Sequence, residues 1–288
     1  MLINMKNLLK VANENKFAVP AFNISDYSML NGIFEACEEK QSPVIIAIHP
    51  DELKHVGTEM VLAIREKAHK ANFPVCIHLD HGQTFEQTIQ AIQAGFTSVM
   101  IDGSTLSFEE NIAECKKVVE AAHAVGVSVE GELGTIGSTD SQAETQGNQI
   151  IYTNSEDAVK FVQETGIDTL AVAIGTSHGI YPKGMKPELK LDLLTEIKGK
   201  VSIPLVLHGG SNNQDHEIKE SVTRGVSKIN ISSDIKAAYY EKMREVLADE
   251  SLREPNVIQP ICVAHMKKTA YHKIELFNAE GKAALYQS

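Results

Sequence analysis

Short apolar runs alternate with segments of helical periodicity along almost the whole chain. The runs are FAVPAFN (17–23), PVIIAIH (43–49), PVCIHLD (74–80), SVMID (98–102), VSVEGELG (127–134), TLAVAIG (169–175), PLVLHGG (204–210) and SKINISSD (227–234). Several are dense in Val and Ile and bounded by Pro or Gly, as strands buried on both faces of a parallel sheet are. Between them, stretches such as FEQTIQAIQAGF and SFEENIAECKKVVEAAHAVG place apolar residues at helical spacing. The second opens on a capping-box pattern, Ser107 with Glu110, and closes at Gly126. Eight strand–helix units in 288 residues predict an α/β fold of the closed (β/α)₈ TIM-barrel type, which takes about 250 residues, over an open doubly wound sheet. No linker or low-complexity tract divides the chain. Residues 1–288 therefore read as one domain, with 249–288 as a C-terminal helical tail whose last helix is expected within HMKKTAYHKIELFNAEGK. Two segments, 135–154 and 176–190, exceed ordinary βα-loop length, and long polar loops commonly cover active sites.

Composition narrows the class. With 43% hydrophobic and 23% charged residues the chain can bury a core, which excludes disorder as its main state. No stretch approaches the roughly 20 apolar residues of a spanning helix. A net charge of −11 argues against a nucleic-acid binder, which needs a basic stripe. The same charge opposes an anionic substrate unless a dication and backbone N–H groups make the mouth locally favourable. The N-terminal MLINMKNLLKVANENK reads as a short amphipathic helix without the apolar core of a signal peptide. Cys37, Cys76, Cys115 and Cys262 are far apart with no C-x-x-C pair, the usage of buried thiols in a reducing cytoplasm. A cytoplasmic protein is expected.

In such a barrel catalytic residues lie at the C-terminal ends of strands. Here those ends carry Asn23, then His78-Leu79-Asp80-His81-Gly82, Asp102, Glu130 with Glu132, His178-Gly179, His208-Gly209-Gly210-Ser211, and Asn230 to Asp234. Any one of them reads equally well as a polar group satisfied at a loop start. Three histidines from three ends meeting at one mouth point further. His81, His178 and His208 fit a catalytic zinc site of three neutral imidazoles and an open position, with Zn–N of about 2.0–2.1 Å. His78 shares strand parity with Asp80 and reads as a residue that orients a neighbour. His55, His69, His123, His216, His265 and His272 lie in helical or loop patterns and read as surface or packing residues. Backbone N–H groups at Gly179, Gly209 and Ser211, with the Ser233 hydroxyl, would suit a phosphate. Each glycine taken singly reads as well as a tight turn.

The set AVPAFN, HLDHG, SVMIDGS, VEGELG, LAVAIGTSHGIYPKG, LVLHGGS and KINISSD resembles the class II, zinc-dependent ketose-bisphosphate aldolases, the family of fructose- and tagatose-bisphosphate aldolases. The resemblance covers most of the chain. It implies reversible aldol cleavage of a ketose 1,6-bisphosphate, or a related ketose 1-phosphate, to dihydroxyacetone phosphate and an aldehyde. It assigns zinc to His81, His178 and His208, and to Asp80 the acid/base role at the aldehyde oxygen. Asp102 and Glu132 match acidic positions that hold a second cation, divalent or monovalent, in some members. Gly179, Gly209, Gly210, Ser211, Asn230, Ile231, Ser232 and Ser233 match the dihydroxyacetone-phosphate pocket, and Asn23 a substrate contact. Lys236 matches a basic position that meets the 6-phosphate, and Lys183 lies near another, displaced by Pro182. A homodimer or homotetramer acting on a small phosphorylated sugar is implied, with no nucleic-acid or membrane partner.

Departures from the family pattern bear on substrate. The loop glutamate that moves the C3 proton is matched by Asp140, with Glu144 as a rival. After strand 2 the family carries Ser or Thr near the distal phosphate, where this chain has His49-Pro50-Asp51-Glu52. Ser232 stands where fructose-specific members have Asp and tagatose-specific ones Ala. A class I mechanism needs a Schiff-base lysine, and the ends of strands 2 to 6 offer none. Two other readings share these residues: a catalytically silent paralogue serving as a binding or assembly subunit, and a zinc-barrel hydrolase.

Overall fold

All eight apolar runs become strands in the computed structural model, which describes residues 1–139, 150–182 and 187–286. They are β1 (Val19–Asn23), β2 (Val44–Ile48), β3 (Val75–Gly82), β4 (Ser98–Ile101), β5 (Ser128–Leu133), β6 (Thr169–Val172), β7 (Leu205–Leu207) and β8 (Val226–Ile231). Each pairs in parallel with its chain neighbours, and β8 closes on β1 with Val19 beside Lys228 and Ala21 beside Asn230. The chain is a closed (β/α)₈ barrel with helices between the strands and a C-terminal helix.

Every strand residue is buried, yet its two faces differ in chemistry. A side chain at Gly131 would meet Ile167, Phe161 and Cys115 of the surrounding layer. Its neighbours Glu130 and Glu132 therefore point inward, as the two-residue period of a strand requires. The same parity sends His78 and Asp80 of β3, and Lys228 and Asn230 of β8, into the barrel. The outward Val, Ile and Leu pack under the helices in one continuous core. Helix starts are fixed locally: Asn4, Asp26, Thr84, Ser107 and Asn154 each accept a first-turn N–H, and the Ser107–Glu110 box closes reciprocally.

The tail differs from expectation. Its helix begins at Pro255, well before His265, and ends at Leu276, followed by a 3₁₀ turn at Lys282–Tyr286. Two prolines disguise that start. Pro255 stands in the first turn, where an N–H has no partner anyway, and Pro260 gives up one bond inside the helix. Burial of Ile258, Cys262, Met266, Ala270 and Ile274 offsets this. The helix packs on Tyr27–Lys40 and on Ser233–Val246, so it caps the barrel between its first and last units. The contact is close: a Cβ at Gly32 would lie 2.7 Å from Val263 Cγ1 and 2.8 Å from Met266 Cε. Gly32→Val is expected to cost about 1–3 kcal/mol by overpacking, seen as a lower urea midpoint. An unchanged midpoint would show that the helix pair separates freely.

The two long loops meet each other. Gly137–Ser138 and Ser177–His178 form a short parallel ladder, and Thr135 bridges Ile151. Asp140, Glu144 and Lys183 lie outside the described residues. Among the described residues no helix is long and apolar enough to cross a membrane.

Candidate active site

Asp80 and His81 are consecutive, so a regular strand would send them to opposite faces. β3 avoids this with a bulge. Its register against β4 shifts between Leu79 and Gly82, and His81 takes φ 53°, in the left-handed region. A bulge re-aims one side chain at the cost of local strain. Here it turns both groups toward the mouth. Gly82 follows because a Cβ there would fall 2.6 Å from the Met100 carbonyl oxygen.

The three predicted histidines come together. His81 Nε2 and His208 Nδ1 are 2.9 Å apart, and the His81 and His178 rings meet edge-on with centroids 4.9 Å apart. One ligand atom from each of the three lies within 4.8 Å of the others. All are buried. Burial alone would lower the His81 pKa, but Asp80, Asp102 and Glu132 raise it to about 10. Burial and the His81 charge push His178 and His208 down. The carboxylates thus favour a proton or another cation at His81, while His178 and His208 stay neutral.

That arrangement fits a divalent cation. Two buried ring nitrogens at 2.9 Å can face each other only around a proton or a metal. Three imidazoles with an adjoining carboxylate set are also the donor chemistry zinc takes. Glu132 Oε2 is buried without a hydrogen-bond partner and lies 4.0 Å from His81 Nδ1. Burial and the nearby Asp102 charge raise its carboxyl well above the usual range. His81, Asp102 and Glu132 form a second group of suitable spacing. In the structure, however, His81 Nδ1 donates to Asp102 Oδ2 at 2.9 Å, and Asp102 Oδ1 accepts from Ser104 Oγ at 2.6 Å and Ser104 N at 3.1 Å. Asp102 therefore orients His81 and leaves its Nε2 facing the cluster.

Asp80 sits wholly buried beside this cluster. Its Oδ2 accepts from Asn23 Nδ2 at 2.9 Å and its Oδ1 from Asn230 Nδ2 at 2.8 Å, with His208 Nδ1 4.0 Å away. Burial would raise its pKa, but His81, His208 and Lys228 hold it well below the ordinary carboxylate range. It is an ionised carboxylate with both oxygens fixed. Above it, Glu52 accepts from His49 N at 2.8 Å and Ser25 Oγ at 3.0 Å, and pairs with Lys236 Nζ at 2.5 Å. Lys236, expected to meet a distal phosphate, thus has its ammonium on a carboxylate from the strand 2 loop.

The predicted anion cradle divides in the structure. Gly209 has φ 62°, and a Cβ there would lie 2.7 Å from the Ser177 carbonyl oxygen, so this turn takes only glycine. It brings the β7 end against the His178 segment. Gly210 N donates to the Asn230 carbonyl at 3.0 Å, so this glycine joins β7 to β8 instead of offering its N–H to a ligand. The Ile231 side chain belongs to the core, which leaves only its main chain near the mouth. Ser232 and Ser233 stand at the start of the helix Ser233–Val246, and Ser211 Oγ accepts from Asp234 N at 3.2 Å. Gly179, at φ 101°, follows His178 directly.

Sequence reasoning missed Lys228. It is fully buried inside the barrel, with Nζ 2.9 and 2.8 Å from the two oxygens of Glu130 and 3.3 Å from His78 Nε2. Its signal was present: it stands two residues before Asn230 and shares its inward parity. His78, read from the sequence as orienting a neighbour, contacts Lys228 Nζ and, at 2.9 Å, Ser98 Oγ.

A barrel with three imidazoles and an ionised aspartate at its C-terminal mouth has the build of a metal-assisted enzyme. The profile of the family described as Fructose-bisphosphate aldolase class-II matches residues 3–282, and the chain belongs to that family. It is therefore a class II aldolase, a lyase. It is 39% identical, over 98% of this chain and 99% of the relative, to a fructose-bisphosphate aldolase of Geobacillus stearothermophilus. It is 37% identical, over the same shares, to the D-tagatose-1,6-bisphosphate aldolase subunit GatY of Klebsiella oxytoca. The crystal structure of the YdjI aldolase from Escherichia coli K12 superposes with a TM-score of 0.85 at 32% identity, covering 98% of this chain and 100% of that one.

Proposed function

We propose that the protein carries out zinc-dependent, reversible aldol cleavage of a ketose 1-phosphate or 1,6-bisphosphate to dihydroxyacetone phosphate and an aldehyde. The observation that carries this reading is the ionised Asp80, fixed by Asn23 and Asn230 against a cluster of three imidazoles. His81, His178 and His208 would hold the zinc. When bound, the metal supplies Lewis-acid stabilisation of the negative charge that develops beside the ketone, worth several kcal/mol.

The remaining work falls to the chain. In cleavage Asp80 takes the C4 hydroxyl proton, and in synthesis it returns it. Asn23 and Asn230 donate to its two oxygens and so hold the carboxylate in one orientation. The amide oxygens of both asparagines are buried without partners and serve as acceptors for substrate hydroxyls. Main-chain N–H groups at Gly179, Gly209 and Ser211, with Ser233 at a helix N-terminus, hold the phosphate beside the ketone. Asp140, with Glu144 as its rival, supplies the C3 proton transfer. Asp102 and Glu132 offer a place for a second cation when the Asp102–His81 bond opens. Four buried, unpaired cysteines suit a cytoplasmic location. Val257 and Ile261, exposed one turn apart on the tail helix, suit a homo-oligomer.

The test is condensation of dihydroxyacetone phosphate with a panel of aldehydes in the presence of zinc. Condensation lost to a chelator and restored by zinc is the expected result. Because Glu52 already occupies Lys236, glyceraldehyde 3-phosphate is expected to show no strong advantage over glyceraldehyde. Full activity in the chelator would defeat the reading. Release of some other product from a ketose phosphate would favour a hydrolase, and no turnover with any aldehyde a silent subunit.

A further inference from the structure

We propose that Glu130 and Lys228 act as positioning residues that fix the tautomer and orientation of His208, so that its Nδ1 stays bare toward the metal point. This rests on the zinc reading above, but its geometry belongs to the barrel interior. An imidazole can present either nitrogen to a metal, and the one presented is set by the hydrogen bond the other makes. His208 Nε2 lies 2.7 Å from Glu130 Oε1. A carboxylate only accepts, so Nε2 carries the hydrogen and Nδ1 is left with its lone pair. It is Nδ1 that faces His81 Nε2 at 2.9 Å.

Glu130 can act in this way only while its charge is compensated, because it is wholly buried with no solvent to help. Lys228 provides that compensation from β8, across the barrel interior, with contacts of 2.9 and 2.8 Å to the two carboxylate oxygens. Its remaining contact, at 3.3 Å, is His78 Nε2. His78 in turn bonds Ser98 Oγ through Nδ1 at 2.9 Å. The ammonium is thereby held on three sides. The result is one connected chain: Ser98, His78, Lys228, Glu130, His208. Asp102 does the same for His81 at the outer end of the cluster, where Nδ1 donates and Nε2 faces inward. Two of the three imidazoles therefore have their tautomer set by a carboxylate. For His208 alone, that carboxylate depends on a buried lysine.

A purely structural ion pair would make a different prediction, and two charge-neutral double variants separate them. Glu130→Gln/Lys228→Met keeps an acceptor for His208 Nε2–H, whereas Glu130→Met/Lys228→Met removes it. Neither buries an unpaired charge, so both are expected to fold. Zinc affinity, measured by competition with a chromogenic chelator, should stay within several-fold of the parent in the first. In the second it should fall about 10–100-fold. Zinc-free protein carrying ¹⁵N-histidine should show His208 as the Nε2–H tautomer in the parent and the first variant, and lose that form in the second. Lys228→Met alone should weaken zinc binding, and adding Glu130→Gln should recover it. Equal affinities and equal His208 tautomers in the two double variants would overturn the proposal. A parent that binds no zinc while the tautomer still responds would instead sink the zinc reading, and with it the metal part of this proposal, and leave only the control of the His208 tautomer by Glu130 and Lys228.

Discussion

Asp80→Ala is expected to lower aldol cleavage by about 10²–10⁴-fold, the usual contribution of a positioned acid–base group, without lowering the zinc content. The argument for a catalytic role is geometric. Asp80 is fully buried, yet its neighbours keep it ionised, and each oxygen accepts from a single amide, Asn23 or Asn230. A carboxylate placed only for stability would gain more from backbone donors at a loop. This one instead lies 4.0 Å from His208 Nδ1 without being part of the imidazole triad. Removing it takes the acceptor from the Asn230 amide, a cost of about 1–3 kcal/mol unless water enters, and leaves the Asn23 amide with only its longer 3.4 Å contact to Glu52 Oε2. The thermal midpoint should therefore drop as well. Zinc content and midpoint must be measured beside turnover, so that unfolding is not read as lost chemistry. A well-folded, zinc-loaded Asp80→Ala protein with parental turnover would remove Asp80 from the mechanism. A parent that turns over while this variant does not would exclude the silent-subunit reading.

Much of the architecture was legible because a parallel barrel buries its strands on both faces. The eight runs therefore stand out as continuous apolar stretches instead of alternating ones. The mouth was legible for a related reason: titratable residues are rare in such strands, so their concentration at one end is conspicuous. What stayed hidden depends on tertiary detail. Strand parity places Asp80 and His81 on opposite faces, and only the bulge between Leu79 and Gly82 reunites them. Lys228 resembles a lysine at a strand start until closure of β8 on β1 carries it into the barrel beside Glu130. The pairing of Glu52 with Lys236 joins two loops separated by most of the chain, and no local pattern announces it. His178 is set by a ladder between two long loops whose own sequences carry little strand signal. The tail helix was read too short because Pro255 and Pro260 look like breaks, though packing carries the helix through them.

His208→Ala is expected to have the larger effect: a protein purified without zinc, with turnover lost at least as completely as in Asp80→Ala. His208 is central to the cluster. Its Nδ1 faces His81 and its Nε2 is held by Glu130. Without it only two imidazoles remain, short of the three protein ligands a catalytic zinc site uses. Binding to the folded state also stabilises it, by about 2.7 kcal/mol when zinc is 100-fold above its dissociation constant. Added zinc should thus raise the parent's thermal midpoint and leave that of His208→Ala unmoved. His78→Ala is the matched control. His78 is equally buried and lies on the same polar chain, but it touches Ser98 and Lys228 instead of the triad. Its loss should cost stability and weaken zinc binding through Lys228, yet zinc should still raise the midpoint and still support turnover. The contrast turns on position and not on the presence of a buried imidazole. If His208→Ala keeps zinc-dependent turnover, or if the two variants respond to zinc alike, the triad is not the metal site.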